Sequence, residues 1–141
     1  MKKISTLVAT ALIFSSTNFA YAYNYPEYII FESTNHCSGC DLSNATITPN
    51  HSRAKLTNAN LSGLYTLHGT AANLSQADLS NTNMVGANLY SANFTEANLA
   101  GAKLESAHVE NANFYGATGL DLTHAYACGA TLPNGDKMPA C

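Results

Sequence analysis

The chain has 141 residues, room for one ordinary domain, with 46% hydrophobic and only 11% charged residues. Six lysines and arginines stand against nine aspartates and glutamates, a formal charge of −3. That balance excludes the basic face with which a nucleic-acid binder neutralises phosphates, and it is too mild for a densely acidic surface.

Met1-Lys2-Lys3 is a short positive start, Ile4 to Phe14 is an apolar run, and Ala20-Tyr21-Ala22 is an A-x-A cleavage signature. The run falls well short of the ~20 residues that a bilayer core demands. Residues 1–22 therefore read as a bacterial-type signal peptide cut after Ala22, leaving a periplasmic or secreted chain with no stable membrane insertion. No cysteine adjoins the cut to take a lipid. Loss of Lys2 and Lys3 leaves Arg53, Lys55, Lys103 and Lys137 against the nine acidic residues, a formal −5.

Residues 23–39, with Tyr25-Pro26 and the apolar Tyr28-Ile29-Ile30-Phe31, carry no repeat and are expected to cap the repetitive region beyond them. The segment ends in Cys37-Ser38-Gly39-Cys40, and Cys128 and Cys141 lie at the far end. Four cysteines in an exported chain read first as two disulfides, with three connectivities open. The C-x-x-C also admits a redox dithiol, although no βαβ pattern surrounds it. A zinc site could recruit His36 and His51, but its second half is missing. Haem attachment is excluded, because Asp41 stands after Cys40 where a histidine is required.

From residue 40 to 132 the chain is repetitive, and from Ala72 to Gly116 it repeats every five residues without slipping. Ala72, Ala77, Thr82, Ala87, Ala92, Ala97, Ala102, Ala107 and Ala112 are small. Leu74, Leu79, Met84, Leu89, Phe94, Leu99, Leu104, Val109 and Phe114, two residues on, are large and apolar. The residue between them is polar, as at Asn73, Asp78 and Asn88. Five steps on an α-helix scatter the large residues around the barrel, and an odd period on a straight strand alternates their face. The pattern becomes coherent if the chain turns a corner after each pentad, pointing the small and large residues inward and the polar one out. Ser, Thr, Gly, Asn, Gln and Glu at the two remaining positions suit corners. Stacked turns of this kind share one continuous core.

The margins are less regular. Ile47 to Leu56 is one residue short, which places a distorted corner at Pro49 to Ser52, and Leu61 to Leu74 is three residues long, which places a loop near His68-Gly69. Gly119 stands where a large residue belongs, register resumes at Leu122, and Pro133-Asn134-Gly135-Asp136 is a turn that opens the tail 133–141.

These pentads resemble the pentapeptide repeat family, whose consensus is A-(D/N)-L-x-x. The resemblance implies an all-β, right-handed, four-sided β-helix with twenty residues per coil, here about four to five coils between two caps. On that coil Leu74, Phe94 and Phe114 form one inner column, and Leu89 lies under Val109. It also bears on the cysteines. Cys40 and Cys128 fall about four coils apart, roughly 20 Å at ~4.8 Å per coil, whereas bridged Cα atoms lie within about 7 Å. The implied pairs are Cys37–Cys40 and Cys128–Cys141. An N-terminal Cys-x-x-Cys-Asp-Leu leading into pentads is similar to exported members of the family.

No nucleophile motif, phosphate loop or metal-binding motif occurs, so neither catalysis nor a cofactor or metal is expected. Glu96, Glu105 and Glu110 fall at corners and read as solvating charges. Tyr90 and Tyr115, one coil plus one side apart, are candidates for surface recognition diagonally across a corner, and Tyr65 with His68 is a second candidate near the register break. The expected partner is a protein or cell-envelope component, and no nucleic acid. The resemblance supplies an alternative, since some family members mimic duplex DNA toward gyrase. Those act in the cytoplasm and carry strongly acidic surfaces.

Overall fold

The structure is a computed structural model that describes residues 25–66 and 71–141, so the segment read as a signal peptide and His68 lie outside the described residues. The five-residue unit is built on its corner. Gln76, two residues past the inward Leu74, has φ 57°, and the N–H of Ala77 donates to Leu74 O at 3.1 Å. A positive φ at the second central residue marks a type II turn. The same position is left-handed at Asn58, Ser91, Glu96, Ser106 and Asn111, and it is glycine at 63, 86, 101, 116 and 129.

Between corners, one residue per side bridges the neighbouring coil in parallel. Asn73 pairs with Asn93 and Asn93 with Asn113; Asp78, Asn98 and Thr118 form a second column. Asn83 with Lys103, and Asn88 with His108, belong to the third and fourth, so in the regular middle twenty residues return the chain to the same side. Backbone groups are satisfied alternately above and below: Leu74 N–H donates to Asn93 O, and Asn93 N–H donates to Ala72 O, both at 2.8 Å. Among the described residues, longer pairing occurs only between β1 (Thr46–Ile47) and β2 (Tyr65–Thr66), which are parallel.

The small and large positions fill the interior. Leu79, Leu89, Leu99, Val109 and the alanines beside them are buried, and Phe94 stacks on Phe114 with centroids 4.9 Å apart. Thr82 replaces an alanine in this core and donates its hydroxyl to Leu79 O at 2.7 Å.

Coil length varies at the margins while the columns hold. Thr46 pairs with Tyr65, nineteen residues on, whereas Asn50 pairs with Asn73, twenty-three on; the additional residues fall between Thr66 and Ala72. Near the far end His108 pairs with Tyr126, only eighteen on. Gly119 absorbs the tightening. It has φ 70°, and a Cβ there would stand 2.5 Å from the Cα of Ala100.

Both ends are covered, the first by an element that the all-β expectation lacks. Helix α1 (Tyr25–Thr34) starts with Pro26 and Glu27 in its first turn, both suited to a helix N-terminus. It ends where Asn35, at φ 61°, donates its N–H to Phe31 O at 2.7 Å, a left-handed C-terminal cap. Repeat geometry then begins at His36, which pairs with Lys55, four residues ahead of the expected start at 40. At the other end the tail folds back antiparallel, with Thr131 paired to Lys137. Met138 N–H donates to Ala130 O, Gly129 N–H donates to Pro139 O, and Met138 packs on the core. No helix among the described residues is long and apolar enough to cross a membrane.

Candidate functional site

A filled core leaves the four outer sides to carry recognition, and three of them are occupied by their own polar ladders. Asn73 Oδ1 accepts from the N–H of Ser75 at 3.2 Å and from its hydroxyl at 2.8 Å, while Asn73 Nδ2 donates to Asn50 Oδ1 of the preceding coil. Asn93 repeats the arrangement with Thr95 and Asn73. On the next side Asn98 Nδ2 donates to Asp78 Oδ1, and on the third Asn83 donates to Asn60 and Asn60 to Asp41. The Ser80 hydroxyl, with help from the Ser80 N–H, Thr57 and Asn98, holds the Asp78 carboxyl below its ordinary range against a smaller opposing effect of burial. These outward residues brace the corners; they are not merely solvated. A fourth ladder runs along one corner, where Arg53 Nε donates to Gln76 Oε1 and Gln76 Nε2 donates to Glu96 Oε2, each at 2.8 Å.

The fourth side differs. Its outward column runs through Thr46, Tyr65, Asn88, His108 and Tyr126, with Asn88 N–H donating to Leu64 O to join the upper and lower parts. Tyr65 and Tyr126 are half-exposed, and Tyr90 beside them is 55% exposed, its hydroxyl accepting from Asn111 Nδ2 at 2.9 Å. His108 stacks on Tyr126, centroids 4.7 Å apart, and its Nδ1 lies 3.0 Å from Glu110 Oε1. Glu110 is therefore no loose solvating charge: its side chain is 17% exposed, and Oε2 is buried without a hydrogen-bond partner among the described residues.

The other sequence candidates are scattered. Tyr115, next to Phe114, stands on the Asn73 side, one side away from Tyr90, and it lies against the tail turn at Gly135; the two tyrosines form no pair across one corner. Cys37 occupies the large inward position of the first pentad and Cys40 the small position of the next, with Cα atoms 5.4 Å apart and at disulfide distance. Cys128 and Cys141 are likewise at disulfide distance, 5.2 Å between Cα atoms.

His51, expected within a distorted corner, occupies an inward position in the column of Leu74, Phe94 and Phe114. Counting back five from Leu56 reaches it, and that is the signal the uneven spacing from Ile47 obscured. Its ring stacks on Phe31 of α1 at 4.1 Å. Asn35 Nδ2 donates to Ser52 O, so the amide presents only its carbonyl to the ring, and His51 Nδ1 carries the proton that bonds Asn35 Oδ1 at 2.8 Å. Nε2 lies 3.1 Å from the Thr48 hydroxyl and 3.3 Å from Glu32. Both nitrogens are thus committed to tying α1 to the first coil, and the zinc reading that enlisted His51 with the cysteines loses that ligand. Burial pushes the His51 pKa down, partly offset by Glu32.

Known proteins share this geometry. A family model described as pentapeptide repeats matches in 8 copies over residues 72–109 and 92–132. No curated protein matches the chain. Among solved structures, the chain is similar to HetL, a pentapeptide repeat protein involved in heterocyst differentiation regulation from the cyanobacterium Nostoc sp. strain PCC 7120. Identity is 28%, the TM-score is 0.53, and the match covers 72% of this chain and 51% of HetL, about half its length. A pentapeptide repeat protein from the Arabidopsis thaliana thylakoid lumen shares the fold at 24% identity and TM-score 0.50, over 68% of this chain and 64% of that one. The left-handed corner every fifth residue, the twenty-residue return and these matches converge: residues 72–132 are pentapeptide repeats, and the chain is similar in fold to solved pentapeptide repeat proteins.

Proposed function

We propose that this protein is a non-enzymatic interaction scaffold working in the periplasm or outside the cell, exported by residues 1–22 and cut after Ala22. In this reading the mature chain is a right-handed β-helix of four to five coils between two caps, with both cysteine pairs oxidised, and its partner is a protein or cell-envelope component. The observation that carries it is the solid interior: leucine, phenylalanine and alanine fill the axis, so recognition falls to the outer sides. Similarity to HetL, whose description ties it to regulation, supports action through contacts.

Cell fractionation with intact-mass measurement tests the reading. The expected result is a periplasmic or secreted chain beginning at Tyr23 without free thiols when isolated without reductant. An uncut cytoplasmic chain would reverse the assignment and return duplex-DNA mimicry to consideration. Photo-crosslinkers at Tyr90 and Tyr115 in the same cells should give a discrete adduct; a scaffold yielding none from any side is no interaction module.

A further inference from the structure

Among the described residues, the aromatic side is the one whose outward column lacks an Asn and Asp ladder. At the outward position the other three sides carry Asn, Asp, Thr, Lys and one exposed histidine, and each has Asn or Asp residues cross-linked coil to coil, up to Asn93, Asn98 and Asn83. On the fourth side Tyr65, His108 and Tyr126 take that position and form no such ladder, and Tyr90 adds a third exposed phenol. Charge is segregated as well. Arg53 stands on the Asn73 corner, Lys55 on the Asp78 side, Lys103 on the Asn83 side and Lys137 in the tail, so the fourth side carries no lysine or arginine. Its charged group is Glu110, with one carboxylate oxygen engaged by His108 and the other buried and unpaired. A buried carboxylate oxygen without a donor is costly, and a cation is the group that compensates it best.

We infer that the side formed by Tyr65, Tyr90, His108, Glu110 and Tyr126 is a docking surface for a protein segment presenting an arginine, whose guanidinium pairs with the Glu110 carboxylate and packs against the tyrosines. Tyrosine faces attract guanidinium, and tyrosine and arginine are the residue types that dominate interface energetics. Tyr65, Tyr90, Tyr126 and the His108 side chain are each about half exposed, so the fold leaves part of every ring open to a partner. Charge complementarity favours this occupant over a neutral glycan, which brings no cation to the unpaired Glu110 oxygen. The inference rests on the scaffold reading but names the chemistry of one side.

The test is titration of isotopically labelled mature protein, both cysteine pairs intact, with acetyl-Gly-Arg-Gly-Arg-amide, its glutamate counterpart and chitotetraose, read by NMR shifts. Saturable shifts confined to Tyr90, His108, Glu110 and Tyr126 are expected with the arginine peptide alone. Glu110→Gln and Tyr126→Ser should each weaken binding at least about fivefold, whereas Glu105→Gln at an exposed corner should not. The variants' amide spectra verify that each remains folded. Shifts spread over all the acidic residues, saturation by chitotetraose in place of the peptide, or no shift with any probe would each overturn the inference. None of these would alter the outcome of fractionation, so the scaffold reading stands or falls separately.

Discussion

A methyl group on Gly119 would stand 2.5 Å from the Cα and 2.7 Å from the N of Ala100, both backbone atoms that cannot swing away. With φ at 70°, Gly119→Ala adds torsional strain to that clash, and a loss of about 2–4 kcal/mol is expected in urea unfolding. Ser106 shares the left-handed conformation at φ 58° but is exposed at an ordinary corner. Ser106→Gly removes the Cβ penalty at the cost of unfolded-state entropy, and a gain of up to about 1 kcal/mol is expected in the same assay. His51 sets the acid response. Its pKa is depressed in the folded state, so the unfolded chain binds more protons, and stability falls as pH drops below the ordinary value near 6.5. A second decline lies at lower pH. Asp41, Asp78 and Asp121, whose pKa values hydrogen bonds from Ser43, Ser80 and Thr123 depress below the ordinary 3.8, then protonate. Thermal melts from pH 8 to 3 should show both declines, and His51→Leu, which restores the repeat's own residue, should abolish only the first.

Among the elements, the caps decide whether the stack stays solitary. The tail returns backbone hydrogen bonds to Gly129, Ala130 and Leu132, which would otherwise form an open edge. Cys128 and Cys141 close a 13-residue separation, worth about 3 kcal/mol by chain entropy. Removing residues 133–141 should therefore produce dimers and larger species in sedimentation velocity, while Cys141→Ser should lower stability by about 2–3 kcal/mol. A truncated chain that remains monomeric would assign the edge no adhesive role. The caps are also where the sequence is least legible. Alternation of Ala and Leu announces its own geometry, but α1 is a single helix with a hydrophobic Tyr28 to Phe31 run and no repetition to count. Cys37 does not read as a core residue, because a cysteine standing where leucine belongs looks like chemistry rather than packing. His51 is hidden for the same reason, since a ring held by Phe31, Asn35 and Thr48 depends on partners from α1 and the first coil that no spacing reveals.

Over the full length of the stack, stability is distributed along an axis, each coil resting on its neighbours. Hydrogen exchange should therefore be graded, slowest at the amides of Leu79 and Leu99 in the regular middle, faster toward Ala45 and Ala125 near the altered coils. Uniform protection would instead indicate one all-or-none unit. The regular middle is legible because nine uninterrupted pentads leave one way to bury Leu89 and Val109 together; the distinct character of one side is not. Tyr65, Asn88, His108 and Tyr126 share a column only because coils of nineteen, twenty-three, twenty and eighteen residues keep the corners aligned, and a constant period of twenty does not bring them into line.

The placement of the aromatic rings makes the protein an optical instrument of an unusual kind. The chain contains no tryptophan, its buried benzyl rings at 31, 94 and 114 scarcely emit, and the phenols at 65, 90, 115 and 126 point outward. Apart from Tyr28, which packs against the core and will report on the N-terminal cap, these phenols make ultraviolet fluorescence responsive chiefly to whatever settles on the exterior, so that a quenching titration reports occupancy of the outer sides.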